Sequence, residues 1–124
     1  IKILGYVSNE ELYSILKKAK VFLFTDHEAG WGLAVAESMA CGLPVVGYKL
    51  QIFEDIYKQG YITVEKYNTV SFAEKAFLLL TNKNLWNIMS KKAKKQAELL
   101  SWEKTAKIFQ TYLEEIYHEF RPKN

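Results

Sequence analysis

Hydrophobic residues fall into short continuous runs separated by stretches with helical spacing. The runs Ile1–Leu4, Val21–Phe24, Val45–Tyr48 and Tyr61–Val64 are typical of strands in a parallel sheet. The second run is apolar throughout, and we expect it to be buried on both faces. Strands that alternate with helices are joined by right-handed crossovers, and the pattern therefore predicts an α/β fold with a parallel sheet.

Start and stop signals for helices lie between these runs. Ser8 followed by Glu11 is a capping box that predicts the start of the first helix. The stretch Leu33–Cys41 is predicted to be helical, and Gly42 and Pro44 end it. A short helix after the third strand carries Phe53, Ile56 and Tyr57.

Beyond the fourth strand the sequence predicts helices alone. Ser71 with Glu74 resembles a second capping box, while Asn84 and Ser101 are candidate caps for the two helices that follow. The last helix has an apolar stripe made of Trp102, Ala106, Phe109, Leu113, Ile116 and Phe120. We expect this stripe to pack against the domain's own sheet, with packing on a second domain as the alternative.

Composition supports a single globular domain over residues 1–124, with 49% hydrophobic and 25% charged residues. The longest apolar run, Ala76–Leu80, is far shorter than the ~20 residues that span a bilayer. The chain starts at Ile1 inside a strand-like run, without a secretory signal peptide, and we expect it to be a piece of a longer protein.

The single cysteine, Cys41, excludes an internal disulfide framework and fits a reducing, cytoplasmic compartment. Beside Ala40 and Gly42 it is predicted to be a small buried hydrophobe, with a catalytic thiol as the minor alternative. His27 and His118 are the only histidines, and with one cysteine they form no zinc motif.

Charge is distributed unevenly along the chain. Residues 1–60 carry six Lys and seven Asp or Glu, a net −1, whereas residues 61–124 carry eleven Lys or Arg and seven Glu, a net +4. The difference comes mostly from Lys91, Lys92, Lys94 and Lys95. A solvated helix face explains them, and the alternative is peripheral contact with an anionic membrane surface. Nucleic acid is not expected, because no aromatic residues interleave with these lysines.

The loop from Thr25 to Gly32 is predicted to lie at the carboxyl end of a buried strand, where parallel sheets bind ligands. Gly30 and Gly32 flank Trp31 directly before a helix. Glycines at such a point allow close approach of a ligand, and the free N–H groups of the first turn, together with the helix dipole, suit a phosphate. A purely conformational role for the glycines is the alternative.

Glu37 is the one acidic residue in a predicted helix that is apolar on nearly all sides. A carboxylate there is costly unless it is paired or faces an opening. Because it follows the helix start by about one and a half turns, it can face the same cleft as the free amides and bind vicinal hydroxyls such as those of a ribose. The alternatives are an exposed strip or a lysine partner.

The segment Glu28–Val46 resembles the donor-binding segment of group 1 retaining glycosyltransferases of GT-B architecture. The stretch Ile3–Leu12, and Ser101 with Trp102, resemble the flanking parts of the same domain. The resemblance is strongest in residues 21–57 and corresponds to the later part of the family's carboxyl-terminal domain. It implies a Rossmann-like parallel sheet with flanking helices, and C-terminal helices packed on it.

What the resemblance implies is a nucleotide-diphospho-sugar donor, held for hexosyl transfer with retention and without a metal or other cofactor. The positions that match are Glu37 for the ribose and the amides of Gly32 and Leu33 for the phosphates, with Gly30 and Trp31 shaping the loop. A helix start and positive side chains stabilise the leaving diphosphate in this family.

Two departures from the family pattern stand out. The earlier glutamate of the motif falls on Ala29, and Glu28 lies one residue too early. Either Glu28 takes over the contact with the donor sugar or that contact is lost, and we favour the substitution. The basic pair that grips the diphosphate and the amino-terminal domain with the acceptor site are absent from this stretch, so we expect the chain alone to be inactive.

Other functional interpretations of single residues have weaker support. His27 next to Glu28 could be an acid-base pair, although neighbouring loop residues usually point apart, and Lys49 could reach a base or phosphate rather than solvent. A different class of function is a non-catalytic interaction or membrane-surface module derived from the same fold, and a third alternative is a related GT-B epimerase. The departure at Ala29 and the lysine cluster favour the non-catalytic module, and Glu37 opposes it.

Overall fold

The computed structural model describes residues 1–120, which contain three parallel strands and six helices. The strands are β1 (Phe22–Phe24), β2 (Val45–Tyr48) and β3 (Tyr61–Val64). The helices are α1 (Asn9–Lys18), α2 (Leu33–Ala40), α3 (Gln51–Ile56), α4 (Thr69–Thr81), α5 (Lys83–Glu98) and α6 (Trp102–Phe120). This order confirms the predicted α/β, Rossmann-like class.

The strands lie in the order β1-β2-β3, with β2 in the centre. Phe22 is paired with Val45, and Val45 in turn with Tyr61, so the parallel register runs straight across the sheet. All four residues of β2 are buried, as expected for a central strand covered on both faces. Because all three strands are parallel, the loops after β1, β2 and β3 lie at the same end of the sheet, the carboxyl end of its strands.

Side chains of β2 alternate between two apolar clusters, one on each face of the sheet. Val45 packs with residues of α2, α3 and α5, including Val35 and Phe53. Val46 packs on the other face with residues of α4, including Phe72 and Leu79. Helix α5 packs closely on α2 and also contacts α4, and its Ala93 belongs to the same cluster as Val45.

Three predictions about strands and the last helix are wrong. The stretch Ile1–Leu4 forms no strand, because no described strand is placed to pair with it and its side chains are exposed. Strand β1 is an edge strand, so Leu23 is exposed rather than buried on both faces. Helix α6 has no buried residue, and its apolar stripe does not pack on the sheet.

Helix caps follow the predicted chemistry with shifts of position. Ser8 and Glu11 form the predicted capping box, each side chain accepting from the other's backbone N–H. The Oγ of Ser101 accepts from the N–H of Lys104, as predicted for the last helix. The caps of α4 and α5 are Asn68 and Asn82, not Ser71 and Asn84, because these helices begin earlier than predicted.

Candidate functional site

The start of α2 is an uncapped helix end. Its N-cap is Gly32, which has φ 78° and ψ 52° and no side chain to bond the first amides. The carbonyl of Gly32 accepts from the N–H groups of Val35 and Ala36, closing the first turn. The N–H groups of Gly32 and Leu33 have no acceptor among the residues described here. These amides are therefore free to bind an anion, which the positive end of the helix dipole also favours.

Gly32 is required by space as well as by conformation. A Cβ at this position would lie 2.6 Å from Cζ of Phe53 and 3.5 Å from the hydroxyl of Tyr57. The left-handed φ adds a cost that only glycine avoids. At Gly30, by contrast, a Cβ would meet no atom within 4 Å. The two glycines of the loop therefore have different roles, and only Gly32 is fixed by its surroundings.

A cavity of about 550 Å³ lies beside one face of α2. Helix α2 contributes Leu33, Ala36, Glu37 and Ala40, which recur at helical spacing. The remaining lining residues come from α1, the loop before α2, the end of α5, the short segment between α5 and α6, and the start of α6. They are Tyr13, Trp31, Ala97, Leu100, Trp102 and Thr105. The volume falls in the range of small-molecule sites, and the wall is mostly apolar and aromatic.

Among residues 1–120, Glu37 is the single charged residue on the cavity wall. It is half-buried, and no ion pair or side-chain hydrogen bond engages it within residues 1–120. The lysine partner considered from the sequence is therefore not found in that part of the chain. A half-buried carboxylate facing an open cavity retains its capacity to accept hydrogen bonds from a ligand.

Helix α2 is less buried than its sequence predicts. Val35, Ser38 and Met39 are buried against the sheet and α5, whereas Leu33 is 54% exposed. The burial that an almost wholly apolar helix indicates is thus found on one side only, because the apolar residues of α2 cover both the core and the cavity wall. The lone acid lies on the cavity side and not in the core.

The residues predicted for the site separate into two groups. Trp31, Leu33 and Glu37 lie on the cavity wall, and Gly32 adjoins them as the N-cap. Glu28 and Gly30 are exposed on the loop and do not line this cavity. Ala29, where the motif places its earlier glutamate, packs against the core cluster instead. Cys41 is half-buried at the end of α2, and its thiol is free.

His27 does not form a pair with Glu28. Its ring lies between Tyr48 and Tyr67, with centroid distances of 4.8 and 4.4 Å. Nδ1 of His27 is buried without a hydrogen-bond partner in the described chain. Lys49 follows β2 at the carboxyl end of the sheet. Its Nζ lies 3.6 Å from Oε1 of Glu54 and 3.7 Å from Oε1 of Glu65, so its ammonium has carboxylate partners.

Tyr57 is a residue of the site that the sequence did not reveal. Its hydroxyl donates to the carbonyl oxygens of Trp31 and Gly32, at 3.0 and 2.9 Å. Burial raises the pKa of Tyr57 from 10.0 to about 12, and the smaller effect of a backbone hydrogen bond with Ala36 lowers it. In the sequence Tyr57 appears only as an apolar position of a short helix, because its partners lie 25 and 26 residues away.

Neither a metal cluster nor a membrane-spanning helix occurs in residues 1–120. No group of three or more His, Cys, Asp or Glu side chains is arranged there to hold a metal ion. Among the helices of the same residues, none combines the length and apolar character that crossing a membrane requires.

Comparison with known proteins gives consistent matches. The sequence profile described as glycosyl transferases group 1 matches residues 1–96. An uncharacterized glycosyltransferase of Methanocaldococcus jannaschii is 29% identical over 106 residues, which cover 84% of this chain and 30% of that protein. The O-antigen chain mannosyltransferase B of Escherichia coli is 25% identical over 103 residues, covering 83% of this chain and 27% of its own length.

A plant protein also matches. The probable sucrose-phosphate synthase 2 of Craterostigma plantagineum is 30% identical over 104 residues, covering 82% of this chain and 10% of that protein. The chain therefore spans less than a third of the length of each of these three relatives.

Proposed function

The chain belongs to the group 1 glycosyltransferase family, and on that premise we propose that it is the donor-binding part of a retaining hexosyltransferase. Its ligand is a nucleotide-diphospho-sugar. One observation carries the proposal: the free amides at the start of α2 and the unpaired carboxylate of Glu37 lie on the same short helix, beside a cavity of small-molecule size. A diphosphate and a ribose are the ligand groups that these two features suit.

Each predicted residue has a role in this proposal. The N–H groups of Gly32 and Leu33 bind the diphosphate, and Glu37 accepts hydrogen bonds from the ribose hydroxyls. Trp31 and Gly30 shape the loop. Glu28, exposed on that loop, contacts the donor sugar in place of the glutamate that the motif has at Ala29.

These residues contribute to the proposed reaction by electrostatic stabilisation of the leaving diphosphate. When the bond between sugar and diphosphate breaks, negative charge grows on the leaving phosphate. Fixed N–H dipoles at a helix start stabilise that charge without having to reorient. No metal or other cofactor is needed for this contribution. The mannosyltransferase among the relatives supports a hexosyl group as the class of sugar transferred.

The acceptor site and the catalytic contacts from the other side of the donor belong, in this proposal, to an amino-terminal domain outside the chain. The relatives are more than three times as long as the matched segment, which supports a second domain. The exposed apolar stripe of α6 supplies a surface for it, through residues such as Phe109 and Leu113. The chain alone is expected to bind donor without turnover.

Isothermal titration of the chain with nucleoside diphosphates tests the proposal. Uridine, guanosine and adenosine diphosphates are the probes, and the corresponding nucleosides are the reference ligands. We expect at least one diphosphate to bind more tightly than its nucleoside, and Glu37→Ala to remove the binding. If no diphosphate binds at millimolar concentration, donor binding is refuted.

A non-catalytic, membrane-surface module is the second candidate. It is favoured by the exposed side chains of Lys91, Lys92, Lys94 and Lys95, which have no ion-pair partner in residues 1–120. Such a module would lie in the cytoplasm, peripheral to the inner face of the membrane. Binding to anionic vesicles that is lost when the four lysines are changed to Gln, without any nucleotide binding, is the outcome that supports it.

A further inference from the structure

The hydroxyl of Tyr57 is shared between two consecutive carbonyls, those of Trp31 and Gly32. Tyr57 lies directly after α3, whereas both acceptors belong to the loop before α2. One hydroxyl hydrogen therefore ties two neighbouring peptide units of the loop to a distant part of the chain. This cross-connection is not needed to form α2, whose first turn is closed by its own amides.

The geometry of the peptide bond gives this contact a consequence. In a trans peptide unit the C=O of one residue and the N–H of the next point in opposite directions. No cis peptide bond occurs in the described chain. The carbonyl of Trp31 therefore shares its unit with the N–H of Gly32, and the carbonyl of Gly32 with the N–H of Leu33. Turning both carbonyls towards Tyr57 turns both free amides away from it.

The ring of Tyr57 is held firmly enough to set this direction. Its side chain is only 5% exposed and belongs to the core cluster. The ring meets Phe53 edge-on at 5.0 Å and stacks on Tyr61 at 6.1 Å between centroids. The ring of Phe53 in turn occupies the space that a Cβ on Gly32 would need. Packing in the core thus holds the hydroxyl of Tyr57 in place, and this hydroxyl in turn holds the carbonyls of Trp31 and Gly32.

We propose that Tyr57 is a positioning residue for diphosphate binding. It aims the N–H of Gly32 at the phosphates through the carbonyl of Trp31, and it reinforces the direction of the N–H of Leu33, which the first turn of α2 also sets through the carbonyl of Gly32. This inference rests on the proposed donor-binding function. Tyr57 touches no ligand in it. Its effect is confined to the phosphate part of the donor, because the nucleoside part is bound elsewhere on α2.

Tyr61 provides a matched control. Its hydroxyl also donates to a backbone carbonyl, that of Tyr48, at 3.0 Å. Its ring stacks on Tyr57 and contacts Phe53, so the two tyrosines share neighbours, although Tyr61 is half-buried and Tyr57 is buried. The carbonyl that Tyr61 binds belongs to β2 and not to the loop before α2. Tyr61→Phe therefore removes a comparable hydrogen bond without releasing the free amides.

The experiment compares the chain with Tyr57→Phe and Tyr61→Phe at neutral pH. For each protein, titration calorimetry gives the ratio of the affinities for a nucleoside diphosphate and for its nucleoside. We expect Tyr57→Phe to lower this ratio about three- to thirtyfold, the range of a helix-end anion interaction, with nucleoside affinity unchanged. Tyr61→Phe is expected to leave the ratio within about twofold of the parent, since its lost hydrogen bond affects general stability alone.

Two further readouts separate positioning from stability. Replacing Tyr57 by 4-aminophenylalanine keeps a donor at the same place and is expected to restore the ratio. The ¹⁵N–¹H signals of Gly32 and Leu33 are expected to shift on addition of diphosphate in the parent protein and to respond much less in Tyr57→Phe. Unfolding midpoints of all variants confirm that each one is folded at the temperature of the titration.

The outcomes are distinguishable. A folded Tyr57→Phe that keeps the parent ratio and the parent amide shifts overturns the positioning role and leaves donor binding intact. Equal losses in Tyr57→Phe and Tyr61→Phe also overturn it, because they point to loosening of the core. A parent chain that binds no diphosphate overturns the proposed function and, with it, this inference.

Discussion

Glu37 lies one helical turn after Leu33, and the two residues lie on the same face of α2, on the wall of one cavity. Within the described residues 1–120, the N–H of Leu33 at the helix start has no acceptor and the carboxylate of Glu37 has no partner. One short helix thus presents a donor group and an acceptor group about 6 Å apart along its axis. This spacing suits a ligand that has an anionic part next to a hydroxylated one.

Replacing the carboxylate of Glu37 tests whether it accepts hydrogen bonds from the ligand. Glu37→Gln is expected to weaken nucleoside diphosphate binding about ten- to hundredfold, because a hydrogen bond to a charged group contributes about 1.5–3 kcal/mol. Glu98→Gln, an exposed acid of α5 outside the cavity, is the control and is expected to have no effect. Calorimetric titration measures both. Equal affinity of the parent and Glu37→Gln would exclude this carboxylate from the ligand contacts.

The two glycines of the loop are expected to respond differently to a methyl group. Gly32→Ala should lower the free energy of unfolding by about 2–4 kcal/mol, since it combines a left-handed residue with displacement of Phe53. Gly30→Ala meets open space, and a change within about 0.5 kcal/mol is expected. Urea denaturation of both variants provides the comparison. Similar losses at the two positions would contradict the close contact of Gly32 with Phe53.

We expect Tyr57 and Tyr61 to make the folded chain less stable at high pH. The pKa of Tyr57 is raised by burial to about 12, and that of Tyr61 is raised by burial and by the charge of Tyr57. The folded protein therefore holds these protons more tightly than the unfolded chain does. Their contribution to stability is complete below pH 10.0 and is lost as the pH rises towards about 12.

Denaturant titrations at a series of pH values check this expectation. The free energy of unfolding is expected to fall steadily above pH 10.0 in the parent chain. Tyr57→Phe, which has no proton to lose at this position, is expected to fall less steeply over the same range. A parent curve that stays flat, or identical slopes for the two proteins, would be inconsistent with a raised pKa at Tyr57.

The exposed stripe of α6 is expected to contribute little to the stability of the chain by itself. Phe109→Gln and Ile116→Gln should each change the free energy of unfolding by less than about 0.5 kcal/mol, because neither side chain is buried. Leu79→Ala is the contrasting variant, since Leu79 is 1% exposed and its loss should cost about 2–5 kcal/mol. Thermal unfolding distinguishes the two classes. Large losses at Phe109 or Ile116 would show that α6 packs on the domain after all.

Local signals in the sequence were sufficient for the alternation of strands and helices. The capping box of Ser8 and Glu11 was found because both of its hydrogen bonds join residues three positions apart. The caps of α4 and α5 were misplaced by three and two residues, since Ser, Asn and Thr cluster there and any of them can cap. The type of element was thus predicted better than its boundaries.

Features that depend on distant contacts could not be predicted. A strand at Ile1–Leu4 needs a partner, and an apolar run does not say whether one is present. The exposure of α6 has the same origin, because its stripe is equally suited to a sheet or to another domain. Tyr57 illustrates the point for the site, since no local pattern links a tyrosine after α3 to the loop before α2.

Strand β1 pairs on one side with β2 and on its other side with no strand of residues 1–120. Leu23, at the centre of β1, is exposed, so this edge strand has an exposed apolar side chain beside its unpaired backbone N–H and C=O groups. Exposed apolar edge strands can pair with strands of other molecules and start aggregation. We therefore expect the isolated chain to self-associate through β1 in concentrated solution, to an extent that the three-residue length of this strand limits.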